Sequence, residues 1–143
     1  EYVDTDTGEI TNIKIKAKLD NFTINHESNT VTLNDLKTTG KPVNYFMGNF
    51  VNSKLSEEPI WYNGSFQYYH YYRQMAIYSW LLKSALKHLY DLEYTINVNM
   101  LVIETIPEFN SKVYPLNGKQ IKYGLDEFKS LLNLVVQWKN LKN

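Results

Sequence analysis

The chain of 143 residues contains no cysteine. Disulfide staples, thiolate catalysis and cysteine-bound structural zinc are therefore excluded. Net charge is also missing, with 15 Lys and Arg against 15 Asp and Glu. The field of the whole molecule gives no drive towards a polyanion, so any basic surface has to be local. Arginine is nearly absent: Arg73 stands alone beside 14 lysines. No apolar run approaches the roughly 20 residues that span a bilayer, and the start does not resemble a signal peptide, so no membrane partner is expected. His26, His70 and His88 share no metal-ligand spacing and read as surface or packing residues. No repeat, low-complexity tract or second domain interrupts the chain, which is long enough to bury one core.

What is present begins with two alternating stretches. Ile13–Asp20 alternates small or apolar residues with lysine, the period of a strand with one solvated face. After the polar His26-Glu27-Ser28-Asn29 comes Thr30–Lys37, β-branched and alternating again. Counting by two, Asp35 and Lys37 share one face while Leu36 points to the other, where it can be buried. Pairing the strands as a hairpin brings Asp20 beside Asp35, with the carboxylates expected within about 6 Å, close enough to share one ion. Carboxylates that close repel unless a cation neutralises them, and the hard ion suited to oxygen ligands is Mg²⁺. Thr38-Thr39-Gly40-Lys41-Pro42 then reads as the end of the strand.

The connection from Gly40 to Gly64 is long. Its Tyr45-Phe46-Met47 and Trp61-Tyr62 suggest that it packs, with an amphipathic turn around Val43–Leu55; the choice is between aromatics plugging the core and a segment offering Lys41, Lys54 or rings to DNA. One helix is expected from Ser65 to His88, aromatic almost all round, with Gln74 and Tyr78 four apart on one face. Tyr94–Glu104 reads as a central strand covered on both faces, and Phe109–Leu116 as a shorter strand. A closing helix is expected over Lys119–Leu141, with Leu125, Phe128, Leu131, Leu132, Val135 and Trp138 as its core stripe.

Taken together, Leu19-Asp20, Asp35-Leu36-Lys37-Thr38-Thr39 and the helical Tyr72-Arg73-Gln74-Met75-Ala76-Ile77-Tyr78 resemble the PD-(D/E)XK nuclease superfamily. The likeness is greatest to its RecB-like and phage-exonuclease branch, including the RecE-type enzymes, and covers about residues 13 to 140. It implies an α/β (α+β), restriction-endonuclease-like fold: a central mixed sheet of about five strands flanked by helices. It implies a DNA exonuclease of phage or prophage type, dependent on Mg²⁺ or Mn²⁺ and acting in recombination or repair. Asp20, Asp35 and the Leu36 carbonyl would hold the metal. Lys37 would orient the attacking water or offset charge on the phosphate, and Gln74 and Tyr78 would lie beside this centre. Lys18, Thr38, Thr39, Lys41 and Arg73 are the candidate DNA contacts. A single-strand annealing recombinase is an expected partner, a homo-oligomer an expected assembly, and the cytoplasm of a bacterial or phage-infected cell the expected location.

The absent cysteines exclude the iron–sulfur versions of this branch. The chain departs from the family in carrying Ala17-Lys18-Leu19 where glycine or proline often precedes the first aspartate. It starts without methionine, with Tyr2-Val3 reading as a strand end and Asp4–Glu9 as its turn, and is expected to be the C-terminal part of a longer protein. A helix upstream commonly adds an acidic ligand; Glu1 and Glu9, the upstream glutamates here, are assigned to nothing. The alternative function is a catalytically silent scaffold that keeps the fold to bind DNA or a protein.

Overall fold

A computed structural model describes residues 2–3, 10–11, 13–51 and 60–141. In chain order its elements are β1 (Tyr2–Val3), β2 (Ile10–Thr11), β3 (Asn21–Asn25), β4 (Thr30–Thr39), a 3₁₀ turn (Val43–Tyr45), β5 (Asn49–Val51), β6 (Ile60–Tyr62), α1 (Ser65–Tyr68), α2 (Tyr71–Tyr90), β7 (Thr95–Glu104), β8 (Ser111–Leu116) and α3 (Gly118–Asn140). The main sheet runs β3-β4-β7-β8, and β1/β2 and β5/β6 are separate two-stranded hairpins. The fold is a mixed sheet with flanking helices, α+β. β4 and β7 are its central strands, paired in parallel, while β3 and β8 lie antiparallel on the edges. Parallel neighbours need a crossover, and here the crossover carries the 3₁₀ turn, the β5/β6 hairpin, α1 and α2.

Alternation along β4 sets the layers. Val31, Leu33 and Asp35 are buried on one face, and Thr32, Asn34 and Leu36 point to the other. In register with them, Ile96, Val98 and Met100 of β7 lie on the same face, and Val102, opposite Lys37, continues it; Val98, Met100 and Val102 are buried. Met75, Leu82 and Leu86 of α2 join this cluster, with Phe46 and Phe66 from the crossover. On the opposite face an asparagine ladder crosses three strands: Asn34 Nδ2 donates to Asn21 Oδ1 (3.3 Å) and Asn99 Nδ2 donates to Asn34 Oδ1 (3.1 Å).

α3 starts at a capping box, Asn117 Oδ1 accepting from the Gln120 N–H and Gln120 Oε1 from the Asn117 N–H. It then packs on α2. A methyl group at Gly124 would lie 2.4 Å from the Tyr72 carbonyl oxygen and 2.8 Å from Ala76 Cβ, so glycine is what lets the helices touch. One turn on, Glu127 accepts from the Tyr72 hydroxyl (3.1 Å) and from Arg73 Nη1 (3.0 Å). The Tyr72 hydroxyl proton is thereby committed, so the 2.6 Å contact with His70 Nδ1 requires that nitrogen to donate. Burial, and then the Glu127 hydrogen bond and charge, push the Tyr72 phenol up to about 12.

Several expectations need correction. Residues 13–19 form no strand; the alternation is real, with Ile13, Ile15 and Leu19 half-buried between exposed lysines, but the ladder begins only at Asn21. The main sheet has four strands among the described residues. β7 is covered on one face only, leaving Ile103 partly exposed. The 65–88 helix is broken at Tyr69–His70, where His70 adopts the left-handed conformation (φ 54°) with its ring held by Tyr72. In α3 the fully buried residue is Val136, while Leu131, Val135 and Trp138 are exposed. That helix packs chiefly on α2, which leaves part of the stripe outside the contact. The amphipathic turn shrinks to the 3₁₀ turn, and Phe46 does plug the core, stacked on Tyr71 and Tyr114 (5.8 and 5.9 Å). The turn Asp4–Glu9, Glu1, Lys54, Leu55 and the side chains of Trp61 and Tyr62 lie outside the described residues. No helix among those described is long and apolar enough to cross a membrane.

Candidate active site

The site grows from the last rungs of β3 and β4. Asn21 faces Asn34, and the chain bends out of the ladder at Asp20, the position that would have faced Asp35. Asp20 Oδ2 accepts a hydrogen bond from the Leu36 N–H (3.0 Å), so this exposed carboxylate is fixed on the strand edge between Asp35 and Lys37. Asp35 is 2% exposed, and its Oδ2 lies 2.6 Å from Lys37 Nζ. That oxygen receives no hydrogen bond of ordinary direction, so the contact is an ion pair that leaves it short of donors. Burial raises the Asp35 carboxyl above its usual range against the pull of Lys37, and the Asp20 charge adds to the rise. Leu36, expected inside, is half-exposed on the outer face, because the turn that buries Asp35 and Lys37 turns it away from α2.

α2 closes the site from above. The Lys37 ammonium sits over the Tyr71 ring, 4.8 Å from its centroid. Tyr71, Gln74 and Tyr78 follow at i, i+3 and i+7, one face of the helix, and Gln74 Nε2 donates to the Tyr78 hydroxyl (2.8 Å). Gln74 thus lies one turn from the ring that holds Lys37, with its amide already tied to Tyr78. Tyr71 is the residue that reading the sequence missed; its i−3 spacing to Gln74 was the available signal.

The other candidates separate. Thr38, Thr39 and Lys41 line one cavity of about 540 Å³ together with Gly40, Asn63, Ser65, Tyr68 and Tyr69. Thr39 is buried; its Oγ1 accepts from the Lys41 N–H (3.2 Å) and its carbonyl from the Thr105 N–H (2.8 Å). Lys18 is exposed on the segment leading to Asp20. Arg73, the other candidate DNA contact, lies two residues beyond Tyr71, points towards α3 and is paired with Glu127. Glu104, opposite Thr39 in the β4/β7 register, is a further buried carboxylate. It accepts from the Val43 N–H (2.7 Å), the Asn110 N–H (3.1 Å) and Asn110 Nδ2 (3.0 Å), and the Val43 bond foremost holds its carboxyl below the usual range. Its oxygens are occupied in tying two loops together.

Could these residues hold a divalent cation? Asp20, Asp35 and the backbone carbonyl of Leu36 form an all-oxygen set of the type that hard cations prefer, and the buried Asp35 Oδ2, faced by the Lys37 ammonium at 2.6 Å but without a directed hydrogen bond, is a place for positive charge. No third carboxylate, histidine or cysteine completes a cluster among the described residues. Mg²⁺ commonly relies on one or two carboxylates with waters and substrate phosphates, so the set fits.

Comparison with known proteins gives three findings. The sequence profile of a family described as a PDDEXK-like domain of unknown function (DUF3799) matches residues 4–143. No curated protein sequence matches. Among solved structures, a candidate exonuclease from Eubacterium rectale is similar in fold, with a TM-score of 0.53 at 11% sequence identity over 80% of this chain. The chain spans 37% of that protein's length.

Proposed function

The chain belongs to the PDDEXK-like DUF3799 family, and from that premise we propose that it is a deoxyribonuclease dependent on Mg²⁺ or Mn²⁺, with Asp20, Asp35 and Lys37 at its centre. The observation that carries the reading is the buried Asp35 carboxylate. Its Oδ2 receives no directed hydrogen bond and has the Lys37 ammonium at 2.6 Å as its counter-charge, with the Asp20 charge alongside. A core has no use for such a group, since an under-satisfied buried charge costs stability.

Asp20, Asp35 and the Leu36 carbonyl would hold the cation, which when bound supplies charge relief and Lewis acidity for phosphodiester hydrolysis. The chain's own groups do the rest. The Leu36 N–H fixes Asp20 on the strand edge. Lys37 directs its ammonium, steadied by the Tyr71 ring, at the attacking water or at negative charge growing on the phosphate. The Gln74–Tyr78 pair is a positioning unit, setting the polar edge of α2 beside them. End-dependent cleavage is the finer reading; it takes support from the name given to the Eubacterium rectale protein, and phage-type recombination with an annealing partner follows from the same resemblance.

The test uses the full-length protein on end-labelled linear and covalently closed circular DNA, in Mg²⁺, Mn²⁺ or EDTA. Metal-dependent loss of label from linear DNA, abolished by Asp35→Asn and by Lys37→Ala in folded protein, is expected. Unchanged cleavage by Asp35→Asn would remove the assigned centre. DNA retention without cleavage under every condition would favour the scaffold.

A further inference from the structure

Two tyrosines at the edge of this site lie largely outside the core. Tyr68 and Tyr69 are 73% and 60% exposed, so neither supports the core. Single exposed aromatics are ordinary, but these two meet edge to face, with ring centroids 4.9 Å apart and planes at 88°. On a continuous helix, neighbouring side chains diverge by about 100° and do not face each other. The pair exists because α1 stops at Tyr68 and the chain reverses through His70 in the left-handed conformation, which the Tyr72 hydroxyl holds in place. A sparsely populated backbone state kept by its surroundings is a reason to look for function there.

Place supplies the second observation. Both rings border the cavity of about 540 Å³ whose other walls include Thr38, Gly40 and Lys41. That volume lies within the range of small-ligand sites, about 300 to 1,000 Å³. β4 runs from Lys37 directly into it. The aromatic series also returns to the centre: Tyr69 lies 5.6 Å from Tyr71, and the Tyr71 ring lies 4.8 Å under the Lys37 ammonium. A strand with a phosphate at Lys37 can therefore place a base at Tyr68 and Tyr69 within a few nucleotides, given a spacing of about 3.4 Å per stacked nucleotide.

We propose that Tyr68 and Tyr69, with the cavity behind them, form a stacking subsite for an unpaired base of a DNA strand whose backbone passes Lys37. The proposal rests on the nuclease reading and narrows its substrate to DNA with a single-stranded end. Aromatic rings accept any base face, so the subsite selects unpaired over paired DNA and not one sequence over another. In a duplex the base faces are already stacked and hidden.

The experiment uses the full-length protein carrying Asp35→Asn, with fluorescence anisotropy on a blunt duplex and on the same duplex with a ten-nucleotide single-stranded tail containing 2-aminopurine. Tail-dependent binding and quenching of the 2-aminopurine are expected. Adding Tyr68→Ala and Tyr69→Ala should weaken tailed binding about tenfold or more, leave blunt binding unchanged and restore the fluorescence. Tyr68→Phe with Tyr69→Phe should behave like the parent, because stacking needs the ring and not the hydroxyl. Melting curves check the fold. No preference for the tail, undiminished tailed binding by the alanine variant, or equal loss on both duplexes would overturn the subsite. Cleavage by the Asp35→Asn protein would instead count against the nuclease centre, a readout separate from tail binding.

Discussion

Replacing Lys37 by methionine removes the charge while keeping most of the side-chain volume. It leaves Asp35, 2% exposed, without the ammonium 2.6 Å away. Deleting one partner of a buried pair costs about 3 to 5 kcal/mol. Lys37 keeps some exposure, 14% of its side chain, so the lower end of that range applies. With an unfolding entropy of about 2.1 cal/mol/K per residue, 143 residues give about 0.3 kcal/mol/K, and a loss of about 3 kcal/mol lowers Tm by about 10 °C. Asp35→Asn should cost far less, or stabilise, because burial already outweighs Lys37 in setting the Asp35 carboxyl. The double variant should recover most of the Lys37→Met loss, a coupling of about 2 kcal/mol. The pH dependence follows in sign. A carboxyl raised in the folded state favours folding most where it is protonated, and that advantage is lost as pH rises through its folded value. The Lys37→Met deficit should be largest at neutral pH and close as pH falls towards the unfolded carboxyl value of about 3.9. The assay is thermal and urea melting of the four proteins between pH 4 and pH 8. Additive losses, or a deficit independent of pH, would refute the claim that an ion pair holds Asp35 in place.

Two further outcomes concern the helices that frame the site. Gly124→Ala should lower stability by about 1 to 3 kcal/mol, because its methyl meets the Tyr72 carbonyl at 2.4 Å and the backbone there cannot yield freely; an unchanged melting curve would show that α2 and α3 do not sit so close. By NMR of labelled tyrosine ring carbons, Tyr72 should titrate at about 12, and Glu127→Gln should bring it part of the way back towards 10 by removing the carboxylate charge while leaving burial; ordinary titration in the parent would count against the His70–Tyr72–Glu127 network.

How far the sequence could be read depended on whether the deciding contacts were local. The β4 register, the Asp35 and Lys37 face, and β7, β8 and α3 to within a few residues were legible, because period is written in adjacent residues. The Ile13–Asp20 stretch alternated just as well and yet is no strand. Alternation states which side chains face inwards; it does not state whether a neighbour supplies the hydrogen bonds. The break at His70 was hidden for the same kind of reason: it is kept by Tyr72 and Glu127, the latter more than 50 residues away. Tyr71 was visible as an aromatic but not as the support of Lys37, since that contact joins a helix to a strand.

Within β4 the most telling residues are those that break the strand's own rule. Along its buried face, Val31 and Leu33 are followed by Asp35 and Lys37, while their β7 neighbours Val98, Met100 and Val102 continue the apolar row without interruption. Nothing in the packing asks for charge at those two positions; an aliphatic pair would fill the same space and avoid desolvating a carboxylate. Asp20 breaks a rule too. The chain leaves the β3 ladder one rung early, so its carboxylate caps the Leu36 N–H instead of standing across the sheet from Asp35. Three charged side chains thus meet where burial, strand pairing and charge repulsion all oppose them. Sequences that are locally consistent elsewhere carry such conflicts where chemistry requires them. That logic, and not the short Asp-Leu-Lys pattern taken alone, is what supports the proposed site at the end of β4.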